Sequence, residues 1–202
     1  MIGYATAIAV DQSALDTRLA AVRAESAALA DTTDSRLGHG RLLVLARLEH
    51  EVLAAGALTA DARPWVMPTG GQITQLFGPT PLRVEPGRVY AGVAYAHFHD
   101  GVDIAGDWMA DVVAPARGRV VFVGRMADGA EIVVLAHDGG IVTMYAHLDA
   151  YASPPTVAAG DEVAQGQKIG TVGMTGISYG MHLHWAAWRN GELIDPITLL
   201  GR

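Results

Sequence analysis

Glycine and proline interrupt this chain so densely from Pro64 onward that it has room only for short extended segments. All nine prolines and all four tryptophans lie at or after Pro64, and so do all of the 24 glycines except Gly3, Gly38, Gly40 and Gly56. Between the breaks are runs rich in β-branched and aromatic residues, the composition of strands. The candidate strands are Ile73–Phe77, Gly101–Ile104, Arg119–Val123, Glu131–Leu135, Ile141–His147, Lys168–Val172 and His182–Trp188. Many short strands at this spacing predict a mainly β fold, an antiparallel sheet core of sandwich or barrel-like form.

The first part of the chain reads differently. Leu15, Leu19, Val22 and Leu29 recur at helical spacing behind Ser13, a candidate N-cap with Asp16 three residues on. A second stripe runs through Leu42, Leu45, Leu48 or Glu49, Val52 and Leu53, and the polar, glycine-containing stretch Asp31–Gly40 separates the two. This pattern predicts an N-terminal α-helical hairpin over residues 1–62, followed by a β domain over residues 63–202. The apolar stripes need a partner surface. Either the hairpin packs on its own β domain, or it serves as a dimer or docking element.

Four of the eight histidines fall in three clusters: His99-Asp100-Gly101-Val102-Asp103, Tyr145-Ala146-His147-Leu148 and His182-Leu183-His184. Side chains at i and i+2 of a strand share a face, whereas on a helix they lie about 200° apart, so an H-x-H pair aimed at one site argues for a strand. Leu183 and Trp185 would then face a core. Gly101, between His99 and Asp103, permits a bend or a positive φ. Two imidazoles and a carboxylate make a common ligand set for catalytic zinc with one position left open, and two further histidines suffice for proton transfer beside it. His97, two residues before His99, would face the same side, in a supporting or surface role.

With these motifs in their order and spacing, residues 65–200 resemble the M23 family of zinc metallopeptidases, the lysostaphin-like or LytM-like peptidoglycan endopeptidases. The family motifs H-x-G-x-D, Y-x-H-L and H-x-H correspond to the three clusters. Ala114-Pro115-Ala116-Arg117-Gly118, the run Gly160–Gly170 and the tail Asn190–Pro196 match as well. The resemblance implies an antiparallel β core with a groove across one face. It also implies Zn2+ held by His99, Asp103 and His184, with His147 and His182 as catalytic histidines. The zinc would polarise the scissile carbonyl and lower the pKa of a bound water, and the two histidines would share proton uptake and oxyanion stabilisation. The implied activity is that of a metalloendopeptidase cutting peptide bonds in peptidoglycan stem peptides or cross-bridges. Departures at Trp185-Ala186-Ala187, Tyr179-Gly180-Met181 and Gly106–Ala110 bear on the groove and leave all five site positions intact. The glycine-rich run Gly173–Gly180 carries no lysine, so it reads as a loop bordering the site; it and the segment Arg88–Phe98 would line the groove.

Composition narrows the partners. A net charge of −7 argues against nucleic acid and gives no attraction to anionic wall polymers. With no cysteine in the chain, thiolate metal sites and cysteine nucleophiles are excluded. No segment reads as membrane-spanning, and Met1–Val10 lacks the basic start of a secretory signal. The expected place of action is the cell wall, extracytoplasmic or virion-associated. Two alternatives stand beside the enzyme. One is a structural virion or tail component carrying the domain, which would join a phage-particle partner or a second copy through the N-terminal helices. The other is a non-catalytic activator of another wall hydrolase.

Overall fold

The computed structural model describes residues 63–201. The helical hairpin and the domain boundary expected at its end lie outside the described residues. In chain order the strands are β1 (Gln72–Gln75), β2 (Gly78–Pro79), β3 (Arg88–Tyr90), β4 (Val93–Tyr95), β5 (Phe98–His99), β6 (Gly101–Ala105) and β7 (Asp111–Val113). There follow β8 (Gly118–Arg125), β9 (Glu131–His137), β10 (Ile141–Leu148), β11 (Glu162–Val163), β12 (Lys168–Thr171), β13 (His182–Arg189) and β14 (Glu192–Ile194). The only helical elements among the described residues are short 3-10 turns at Asp138–Gly140 and Pro196–Leu199.

An antiparallel sheet forms the frame, in the order β1-β6-β13-β10-β9-β8-β11, with β14 added to β13. Three two-stranded ribbons, β7 with β12, β2 with β5 and β3 with β4, complete the fold. The mainly β expectation holds, and each of the seven strands anticipated from the sequence is present with adjusted ends. The first ends at Gln75 rather than Phe77, and Phe77 instead packs edge-on against Phe98, 5.1 Å between ring centroids. The β3–β4 hairpin is an addition. Its turn residues Ala91 and Gly92 both have positive φ, 48° and 79°, the conformation of a two-residue type I′ turn that Asn-Gly ordinarily signals.

Central strands are buried on both faces, which is why their sequences read as continuous apolar runs. In β9, Val133 and Leu135 belong to one cluster with Tyr145, Leu183 and Trp185, closed over by Val112 of β7 and Ile169 of β12. Ile132, Val134 and Ala136 belong to a second cluster, on the opposite face with Met144, Ala186 and Trp188. Leu183 and Trp185 are fully buried, as the H-x-H alternation requires. Such a core holds register strictly, because a slip of one residue would turn every core side chain outward.

One polar group is embedded in this core. His137 is buried, donates Nδ1–H to the Arg117 carbonyl (2.9 Å), meets Thr143 Oγ1 at 2.8 Å through Nε2 and packs against the Trp65 ring. Burial pushes its imidazole down to about 4, only partly offset by the Arg117 carbonyl. The native state therefore binds fewer protons than the unfolded chain between the ordinary value near 6.5 and about 4. Its contribution to stability is complete above pH 6.5 and is lost as pH falls toward 4. In chemical denaturation with chelator present, stability should fall over that interval, and His137→Gln should make the pH dependence shallower. An unchanged slope in the variant would assign the acid sensitivity elsewhere.

Candidate metal and catalytic site

Strand register assembles the site. In the β6–β13 pairing His184 lies directly opposite Asp103, and in the β10–β13 pairing it lies opposite Ala146, one residue before His147. His99 ends β5, and the single residue Asp100 separates it from β6. Aromatic packing of Tyr90 and Tyr95 around Phe98, at 5.0 and 5.5 Å, fixes β5 beneath the β3–β4 hairpin.

His99 Nε2, Asp103 Oδ1 and His184 Nδ1 converge. The His99–Asp103 and His99–His184 separations are both 3.1 Å, and the His184–Asp103 separation is 3.0 Å. Ligands about 2.0–2.1 Å from a tetrahedral zinc stand about 3.3 Å apart, so this triangle is within a few tenths of an ångström of a zinc-ligand face. Among the described residues this is the one group of three or more His, Cys, Asp or Glu side chains placed to hold a metal ion.

Backbone carbonyls orient three of the four rings. A carbonyl oxygen can only accept, so a ring nitrogen bonded to one carries the proton and leaves the other nitrogen of a neutral imidazole bare. His99 gives Nδ1–H to the Leu76 carbonyl (3.1 Å), freeing Nε2 toward the triangle. His184 lies between two carboxylates, with Nε2 3.4 Å from Asp100 Oδ1 and Nδ1 3.0 Å from Asp103 Oδ1. His147 gives Nδ1–H to the Thr175 carbonyl (2.7 Å), and His182 gives Nδ1–H to the Gly180 carbonyl (2.8 Å). In their neutral forms the last two rings therefore present bare Nε2 atoms. They stand 4.7 Å apart between centroids, with His147 6.1 Å from His184.

The electrostatics favour a cation at the triangle. Burial opposes charge on Asp103, but its contacts with the His184 and His99 imidazoles outweigh it and hold the carboxyl well below the usual carboxylate range. Burial likewise opposes charge on His184, but Asp100 and Asp103 push its imidazole up to about 10. His147 goes the other way: burial pushes it down to about 4 against the pull of the Thr175 carbonyl, which keeps it neutral near pH 7.

The family model of peptidase family M23 matches residues 97–196. Those residues are an M23 peptidase domain. A relative named DD-carboxypeptidase/endopeptidase Mpg, from Neisseria meningitidis, is 38% identical over 101 residues, covering 50% of this chain and 22% of that protein. Murein hydrolase activator NlpD from Salmonella typhimurium is 32% identical over 143 residues, covering 70% of this chain and 33% of that protein. A zinc-containing peptidase from Vibrio cholerae superposes with a TM-score of 0.54 at 28% identity, covering 65% of this chain and 39% of that one. The chain thus spans a fifth to a third of the length of these two curated relatives.

Two features of the M23 domain here explain residues that the sequence marked only as motif letters. Gly101 has no positive φ; its role is close approach, because a Cβ there would lie 2.6 Å from the Trp185 carbonyl oxygen and 2.7 Å from His184 Cε1. The imidazole of His184 occupies the space that a side chain would need. His147 is a non-glycine residue in the left-handed region, φ 63°, at a register shift in β10 between Tyr145 and Leu148. That bulge re-aims the ring into the site. It is held by Thr175, whose Oγ1 donates to the Leu148 carbonyl (2.8 Å) and accepts from Glu131 N–H (2.9 Å).

The loop Gly173–Gly180 does border the site, supplying the Thr175 carbonyl to His147 and Ser178 Oγ to His182 Nδ1 (3.2 Å). Exposed Trp108, Tyr151, Met174, Ile177 and Tyr179 occupy this loop and the loops after β6 and β10. Trp108 is tied to Asp149 Oδ2 at 3.3 Å. His97 does not join the cluster. It meets the Glu85 carbonyl at 2.8 Å through Nδ1, because the bend at residues 96–97 breaks the strand alternation that would have aligned it with His99. The sequence assigns no individual role to Arg88, Asp100, Thr175 or the Leu76 carbonyl, since their roles depend on contacts between segments.

Gly101→Ala should displace the His184 ring at a cost of about 1–3 kcal/mol of overpacking. Chelator competition should show zinc affinity at least tenfold weaker while the domain remains folded. Undiminished affinity in the variant would contradict the close-approach role of Gly101.

Proposed function

We propose that this chain is a zinc-dependent endopeptidase that hydrolyses peptide bonds in peptidoglycan stem peptides or cross-bridges, acting on the cell wall outside the cytoplasmic membrane. The observation that carries this reading is the convergence of His99 Nε2, Asp103 Oδ1 and His184 Nδ1 within 3.0–3.1 Å of one another, with His147 and His182 beside them and each held from behind by a backbone carbonyl. The zinc-containing Vibrio cholerae peptidase and the endopeptidase Mpg support the same reading.

In this proposal His99, Asp103 and His184 hold the metal, and His147 and His182 act on protons. Zinc bound there supplies a Lewis acid that polarises the scissile carbonyl and makes an attacking water more acidic. Nε2 of His147 or His182 accepts the proton from the attacking water. The protonated ring then donates to the developing oxyanion or returns the proton to the leaving amine. The Thr175 and Gly180 carbonyls keep each ring from turning and losing this geometry. The exposed aromatic and aliphatic side chains of the surrounding loops offer apolar contact to the peptide on either side of the bond cut.

A second reading, a wall-hydrolase activator, is favoured by one observation: the similarity to NlpD covers 70% of this chain, against 50% for Mpg. All five proposed site residues are present here, which favours the enzyme. Digestion of purified peptidoglycan of several cross-bridge types, with products identified by mass spectrometry, separates the two. The enzyme releases new amino termini unaided. His147→Ala and His182→Ala should each keep one zinc per chain and lose roughly 10²–10⁴-fold in turnover. No cleavage by the native chain, combined with faster cleavage by an added murein hydrolase, would replace the enzyme reading with the activator reading. Loss of zinc in the His147 variant would show that its role has been misassigned.

A further inference from the structure

We propose that Asp100 and Arg88 form a positioning relay that orients the metal-facing nitrogen of His184 in this chain. The inference rests on the zinc reading above and extends it to two residues outside the metal and proton-transfer sets. The contacts run in series. Arg88 Nη2 donates to Asp100 Oδ2 at 2.7 Å, and Asp100 Oδ1 stands 3.4 Å from His184 Nε2. On the far side of the same ring, Nδ1 faces Asp103 Oδ1 at 3.0 Å and His99 Nε2 at 3.1 Å. The two carboxylate oxygens of Asp100 are thus divided between the arginine and the imidazole. A carboxylate behind a ligating imidazole fixes its tautomer and ring angle and raises the basicity of the nitrogen that faces the metal.

Placement argues that this contact is built into the fold. Asp100 is the residue between β5 and β6, so the backbone that aims His99 and Asp103 at the triangle also aims Asp100 at the reverse side of His184. Gly101 is bare beneath the ring, leaving no side chain to hold it from below. Arg88 opens β3 in the ribbon whose Tyr90 and Tyr95 clamp Phe98. Its Nε–H is buried, although the side chain as a whole keeps 35% exposure. An arginine engaged only in a surface ion pair would turn that donor to water. The relay thereby ties the β3–β4 hairpin mechanically to the metal-facing side of His184.

The test uses the full chain, zinc affinity measured by chelator competition, and the absorption spectrum of the cobalt-substituted protein. Asp100→Ala should weaken zinc binding roughly 10–100-fold and change the cobalt spectrum, as expected for loss of a group supporting a ligating histidine. Arg88→Ala should weaken binding less, and should add nothing in the Asp100→Ala background because the two act in one chain of contacts. Asp100→Asn is close to isosteric and guards against misfolding of the alanine variant. Its single amide oxygen cannot serve both Arg88 and His184, so Arg88→Ala should restore affinity in the Asn background while reducing it in the native one. A merely structural role would not produce that reversal. Native zinc affinity and an unaltered cobalt spectrum in Asp100→Ala, or a full additive loss in the double alanine variant, would overturn the relay and leave the zinc reading standing. A native chain that binds no zinc would overturn both.

Discussion

The pairing of β13 with β6 is the constraint on which the rest of the site depends. It sets His184 against Asp103 and His182 against Ala105, and it lays the His184 ring over the one position in β6 where no side chain intervenes. The same alternation drives Leu183 and Trp185 into one core and Ala186 and Trp188 into the other. The apolar side chains that stabilise the sheet therefore also enforce the register of the site. A slip that misaligned the histidines would also expose a tryptophan, so burial energy protects geometry that metal ligation alone would fix only weakly.

The polar surroundings then divide four chemically identical side chains into two kinds. His184 sits between two carboxylates, where positive charge is favoured despite burial. His147 is half-buried beside it with the Thr175 carbonyl behind its ring, and burial keeps the ring neutral. The carboxylates that favour a proton on His184 would equally favour a metal ion in that proton's place, while the neutral His147 ring is left able to accept a proton. The backbone pays for this at His147, in a left-handed conformation that the Thr175 contacts hold in place.

Much of this was legible in the sequence where chemistry and periodicity coincide. The H-x-H alternation identified the strand and its two faces, and the three motifs named the five residues that the structure brings together. The glycine of H-x-G-x-D was legible as a requirement but not as the correct one: the sequence suggests a backbone bend, whereas the constraint is the close approach of the Trp185 carbonyl and the His184 imidazole. The hairpin of β3 and β4 was hidden because Ala91-Gly92 makes a turn that Asn-Gly would have announced. Asp100 occupies the variable letter of its motif, and its contact with His184 crosses 84 positions of sequence, so only the folded chain reveals it. The same holds for Thr175, whose link to His147 depends on a loop closing over a bulge.

The central claim is that His99, Asp103 and His184, and not His147 or His182, hold the metal. A crystal structure of the zinc-loaded protein with anomalous diffraction recorded across the zinc edge tests it most directly. The account requires one anomalous peak per chain, about 2.0–2.2 Å from His99 Nε2, Asp103 Oδ1 and His184 Nδ1, with both remaining histidines beyond bonding distance. A peak bonded to His147 or His182, or one that leaves Asp103 unligated, would contradict it.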